Sequence, residues 1–315
     1  MSTSGITSYS CTELEIVTAI LSKLGVKESG QALDAEDVQT VRRNLNMIYK
    51  QWTAQADFAP GLKMWTRRRA YLFLQKGQTA YSIGPSGDEC AAESYVSTTL
   101  SAAAGASTLL VTSAAGISGG MRIGVLLSTG YMQWTTASSV VSTTITLAVA
   151  LTSAAAQGAV VYAYTTKPVR PFEILTAVNR DSAGNDTPMD PNLSLDEYEL
   201  IPTKTVLGTA ARIYFENRKT YSKAYLDASP DDLTRVIRFV FFSQIEDTTA
   251  QTDDVDFPSE WFRALVGQGT LDSALDFNKS TTPDMKLFRD EGLRMAQNAY
   301  PSTSVAYYQS TPDTY

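Results

Sequence analysis

Asp253, Asp254 and Asp256 place three carboxylates within four residues, among the densest acidic runs in the chain. Such a run can ligate a divalent cation, or supply the acid and base of a glycan hydrolysis if one carboxyl has a raised pKa. Pro258 follows at once and fits the first turn of a helix, where carboxylates complement the positive end of the macrodipole. That structural role is the stronger expectation. Asp181, Asn185, Asp186 and Asp190 form a second oxygen-rich stretch, but the spacing lacks the Gly and terminal Glu that a calcium loop requires. A solvated polar loop is expected there. Arg67, Arg68 and Arg69 follow Trp65, and basic groups beside an aromatic can contact phosphate. In an acidic chain they are better read as one side of a salt-bridge strip between subunits, with Asp253, Asp254 and Asp256 as further candidate intersubunit residues. Gly116-Ile117-Ser118-Gly119-Gly120 is glycine-rich, yet no Lys-Ser or Lys-Thr follows to make a phosphate loop.

The 315 residues contain no histidine, which removes His-based triads, HExxH zinc sites and the usual neutral-pH proton shuttle. Cys11 and Cys90 are too far apart in sequence for a metal motif, and are expected as reduced thiols. The net charge of −7 argues against affinity for a nucleic-acid backbone. Residues 1–5 lack the basic start of a signal peptide, and no apolar run reaches the ~18 residues of a membrane span, so neither is expected. No catalytic, cofactor or metal residues are assigned, and the chain is expected not to be an enzyme.

The elements that position these residues begin with Thr12-Glu13-Leu14-Glu15, a capping box. Leu14, Val17, Ile20, Leu21 and Leu24 then form a helical stripe that Gly25 stops. Asp34 caps a second helix with Val38, Val41, Leu45, Ile48 and Trp52 on one face, and the two helices are expected to pack as an antiparallel pair. Tyr71-Leu72-Phe73-Leu74 and Tyr81-Ser82-Ile83 flank Lys76-Gly77-Gln78, which reads as a hairpin.

Between Glu93 and Lys167 the only charged residue is Arg122. This composition break marks an inserted module, and its short apolar alternations predict strands near 107–111, 122–127, 131–135, 143–147 and 159–164, a small sandwich or barrel. Strands are expected again at 172–175, 211–215 and 236–242, a helical turn at 195–198, and helices from Pro258 and over 283–298. Gly267 and Gly269 each cost the first of these helices about 1 kcal/mol unless close packing requires them. The tail 300–315 is rich in Pro, Ser, Thr and Tyr.

The order of these pieces resembles the head-to-tail adaptor (connector) family of short-tailed bacteriophages. The matching segments are Ile20-Leu21-Ser22-Lys23-Leu24-Gly25-Val26, Leu45-Asn46-Met47-Ile48-Tyr49-Lys50-Gln51-Trp52, and Lys76-Gly77-Gln78-Thr79-Ala80-Tyr81-Ser82-Ile83-Gly84. Ile245-Glu246-Asp247 and Asp256-Phe257-Pro258-Ser259-Glu260-Trp261 complete the set. The uncharged insert is the main departure from the family.

The resemblance implies a virion protein of the phage neck, made in the host bacterial cytoplasm. It implies a twelve-membered ring beneath the portal, a channel that DNA traverses without sequence-specific binding, and contact with a downstream tail hub, nozzle or fibre protein. Portal docking through C-terminal segments is also implied, and the aromatic Tyr300, Tyr307, Tyr308 and Tyr315 are the candidate docking residues. The expected fold is α+β: a helical adaptor core with small strands, an inserted all-β module and an extended tail. Its divisions fall at 1–87 for the helix pair and hairpin, 88–166 for the insert, 167–299 for the rest of the core and 300–315 for the tail. The alternatives are another tail component (tube, collar or fibre attachment) and a carboxylate-based cell-wall glycan hydrolase.

Overall fold

The computed structural model describes residues 9–28, 30–54 and 66–299. Among them are five α-helices: α1 (Glu13–Lys23), α2 (Ala35–Ala54), α3 (Leu195–Glu199), α4 (Phe262–Ser273) and α5 (Pro283–Ala299). The strands are β1 (Arg67–Phe73), β2 (Ala80–Ile83), β3 (Cys90–Ala91), β4 (Tyr95–Ser101), β5 (Thr108–Val111), β6 (Arg122–Leu126) and β7 (Met132–Val141). They continue with β8 (Thr144–Leu147), β9 (Val160–Tyr164), β10 (Pro171–Arg180), β11 (Asp186–Leu193), β12 (Arg212–Asn217), β13 (Ser222–Leu226) and β14 (Val236–Ser243). The chain divides into a helical unit, Met1–Thr66 with Ile245–Tyr315, and a β unit, Arg67–Gln244.

This corrects the expected fold. The protein is mostly β rather than a helical core with small strands and one inserted module. The segments on either side of the uncharged insert, read as small additions to a helical core, instead join in an eight-stranded sheet of their own. Its order is β2-β13-β12-β11-β10-β14-β1-β3, and β4-β5-β8-β7-β6-β9 close a separate barrel. The expected hairpin is also absent. Gly77 does turn the chain, at φ 81°, but β1 pairs with β14 and β3 while β2 pairs with β13. The short link from Phe73 to Ala80 therefore joins strands near opposite edges of the order, and the sheet curls back on itself.

In the helical unit, Thr12 and Glu15 form the capping box. At the other end of α1, Val26 N–H donates to the Leu21 carbonyl (3.0 Å) and Gly25 N–H to that of Ser22 (3.1 Å), with Gly25 at φ 65°. These two bonds are the Schellman pattern. The buried stripe differs slightly from expectation: Ile16 lies inside and Leu14 is 37% exposed. Glu13 is also buried, held by Arg42 Nε at 2.6 Å. α4 packs against α1, α2 and α5, which accounts for its glycines. A Cβ on Gly269 would come within 2.5 Å of Ile20 Cδ1, and one on Gly267 within 2.7 Å of the Arg289 backbone.

Candidate functional site

Strand alternation separates the three arginines of β1. Arg67 and Arg69 share one exposed face with Tyr71, while Arg68 lies on the other. Across the sheet these three sit opposite Phe242, Val240 and Arg238 of β14. The next strand places Thr176 beside Val240 and Val178 beside Arg238. At one end of this face Asp186 binds Arg180 through both oxygens (2.7 and 2.9 Å) and accepts from Arg238 Nη2 at 2.6 Å. The Arg180 hydrogen bond holds the Asp186 carboxyl below its ordinary pKa.

The aspartates serve the helical unit's own backbone. Asp253 accepts from the N–H groups of Thr249 and Ala250, each at 2.8 Å, and those bonds lower its pKa. Asp254 lies in a bridge with Thr12 and is exposed. Asp256 accepts from Glu246 N–H at 3.2 Å. The three do not converge, and among the described residues no group of three or more His, Cys, Asp or Glu could hold a metal ion. Asp181 and Asn185 form a local turn, with Asp181 accepting from Ala183 and Asn185 N–H, but Asp186 and Asp190 belong to β11 rather than to the expected loop. Gly116, at φ 77°, lies against the Tyr95 ring, where a Cβ would come within 2.4 Å of a ring carbon. Tyr300, Tyr307, Tyr308 and Tyr315 lie outside the described residues, as does Trp65.

Both cysteines are free and buried, and burial pushes both thiols up, so neither is a ready nucleophile. A cavity of about 250 Å³ lies between barrel and sheet. Its two charged wall residues are engaged: Arg180 with Asp186, and Asp181 with the amides of Ala183 and Asn185. Among the described residues no helix is long and apolar enough to cross a membrane.

The constellation that sequence reasoning missed is the junction of barrel and sheet. Arg122 on β6 donates to Glu89 Oε1 from Nη2 (2.7 Å) and Nε (3.1 Å), and the Tyr164 hydroxyl donates to Glu89 Oε2. Burial, and then the Glu89 contact, hold the Tyr164 hydroxyl above its ordinary pKa. Gln75 completes the edge of β7: its Nε2 donates to the Met132 carbonyl and its Oε1 accepts Met132 N–H, both at 2.9 Å. A side-chain amide here does the work of a neighbouring strand. Tyr162 donates to the Thr234 carbonyl at 2.8 Å. Between these polar contacts the Phe73 ring lies 5.1 Å from Trp134, 4.8 Å from Tyr162 and 5.8 Å from Tyr164. One signal was visible in advance: a lone charge in a long uncharged stretch is expensive to bury unless paired.

The helical unit repeats the amide device. Asn46 on α2 donates to the Thr248 carbonyl (3.0 Å) and accepts its N–H (3.1 Å). One turn on, Lys50 donates to the Ile245 carbonyl (2.9 Å) and pairs with Asp247 (2.8 Å). Beneath them Phe257 lies 5.2 Å from Tyr49 and 5.9 Å from Trp52, and Trp52 lies 6.0 Å from Trp261. These contacts tie α2 to the segment 245–261 of the same unit. No protein-family model matches the chain, and no curated protein matches it.

Proposed function

We propose that this protein is a structural subunit of a phage neck, a head-to-tail adaptor. In this reading it assembles as a twelve-membered ring under the portal and joins it to a downstream tail hub, nozzle or fibre protein. The observation that carries the reading is the meeting of segments in the helical unit. Three of the stretches on which the resemblance rests, 45–52, 245–247 and 256–261, interlock there through Lys50, Tyr49, Trp52, Phe257 and Trp261. The first lies some 200 residues from the other two, so their contact with it is not a matter of local sequence.

The helical unit contains 19 acidic and 11 basic residues. Carboxylates and phosphates repel, so such a unit lining a channel would let DNA slide past without trapping it. The work is binding and positioning rather than catalysis. A second reading, as another tail component such as a collar or fibre-attachment protein, is favoured by the size of the β unit, which spans Arg67–Gln244.

The test is to mix the purified protein with assembled portal rings and follow co-sedimentation and ring-on-ring images. A chain ending at residue 299, without the four candidate tyrosines, is compared alongside. The adaptor reading expects a stoichiometric complex with the full chain and its loss on truncation. No binding by the full chain overturns the adaptor reading, whereas binding by both chains moves the docking surface off the tail.

A further inference from the structure

We infer that copies of this chain associate head to tail, the exposed arginine face of one β unit meeting the acidic helical unit of the next. The inference goes beyond the adaptor reading, because it names the two surfaces that meet and is tested without a portal.

The arginine face is defined by register. Arg67 and Arg69 project from the same side of β1, two residues apart, and both are exposed. Beside them Val240 and Val178 are half-buried, leaving apolar surface between the charges. The other arginines of this face, Arg180 and Arg238, are already bound by Asp186, but among the described residues no carboxylate is within ion-pairing distance of Arg67 or Arg69. Arg68 faces the other way and takes no part.

The complementary surface belongs to the same chain. The helical unit has eight more acidic than basic residues, whereas the β unit is nearly balanced, with 14 acidic and 15 basic. Asp253 and Asp256 are engaged by their own backbone, leaving Asp254 and Glu260 as exposed carboxylates of that segment. Two helical units repel each other, whereas the arginine face of a β unit attracts one. A contact between different patches on identical molecules is heterologous, so it propagates and generates a closed ring or a filament rather than a two-fold dimer. Duplex DNA is the competing acidic partner. It is disfavoured because only two arginines of the face are unengaged, and a near-neutral unit lacks the basic excess of a nucleic-acid surface.

The experiment is sedimentation velocity on the full chain over a range of salt, comparing wild type with R67E/R69E. Wild type should self-associate at low salt and dissociate as salt rises. The reversed pair should weaken association at least about tenfold, the scale of losing and inverting two exposed ion pairs. Adding D254K/E260K to the reversed pair should restore it. Circular dichroism checks folding, and if the reversed pair does not fold, R67Q/R69Q takes its place with a smaller loss expected. A wild type that stays monomeric at every salt, or a reversed pair that associates like wild type, overturns the inference. So does loss of duplex DNA binding with self-association unchanged, which would assign the face to nucleic acid.

Discussion

The guanidinium of Arg122 sits 2.7 Å from a carboxylate oxygen of Glu89, although the two residues belong to different parts of the β unit. Arg122 is the one charge in the long uncharged stretch, and it is turned toward the sheet. Its side chain is 40% exposed and that of Glu89 19%, so solvent screens the pair in part. Comparing Arg122→Met, Glu89→Gln and the double variant by chemical denaturation should give a coupling energy of about 1 kcal/mol. Additive effects would show that the contact does not bind barrel to sheet.

Phe73 is 2% exposed and touches three aromatic rings of the barrel from its place on β1. Phe73→Ala should cost about 3–5 kcal/mol, the range for truncating a buried aromatic. It should also separate the barrel's unfolding from the sheet's in calorimetry. A single transition with an unchanged midpoint would refute this.

Alanine normally improves a helix over glycine by about 1 kcal/mol. In α4 and α5 the sign should reverse. A Cβ on Gly267 or Gly292 meets backbone, at 2.7 Å from Arg289 Cα and 2.8 Å from Ala264 N. Gly267→Ala and Gly292→Ala should each destabilise by about 1–3 kcal/mol. Gly269→Ala should be milder, because its nearest contact is the end of the Ile20 side chain. Denaturation midpoints rank the three, and equal effects would contradict the packing account.

Burial holds the hydroxyls of Tyr49, Tyr81, Tyr162 and Tyr164 above the ordinary tyrosine pKa. The folded state then keeps protons that the unfolded chain releases near pH ~10. Stability from these groups is therefore complete below that pH and falls as pH rises above it. Absorbance titration near 295 nm should show a class of tyrosines ionising only as the fold is lost. A single reversible titration near pH ~10 with the fold intact would be inconsistent with their burial.

Asp253 works in the opposite direction. Amides of Thr249 and Ala250 lower its pKa, so its contribution is present above the unfolded value of ~3.9 and is lost as pH falls through the folded one. Asp253→Asn should lower the melting temperature at neutral pH and flatten its acid dependence. An unchanged acid slope would show that the loop does not depend on this charge.

Local chemistry was legible in the sequence where it was sufficient. The Thr12 capping box, the stop at Gly25, the helical stripes and the alternations of β5 to β9 all act within a few residues. What was not legible is pairing at long range. Lys76-Gly77-Gln78 has turn chemistry and does turn, but β14 and β13, some 150 residues away, decide where β1 and β2 go. β11 contains Asp186, Pro188, Asp190 and Pro191, residues that favour loops, and becomes a strand because β10 and β12 flank it. The intersubunit candidates were visible as charges, but only strand register separates Arg68 from Arg67 and Arg69.

The two-part helical unit also dictates a schedule. During synthesis α1 and α2 emerge first, yet α4, which covers Ile20 and Leu45, follows more than 200 residues later. The β unit is contiguous and complete by then. At ribosomal speeds of about 5–20 residues per second the first helices wait ten seconds or more for their partner, with an apolar face uncovered. The apolar face of α1 and α2 thus stays open to chaperones and proteases until α4 has left the ribosome.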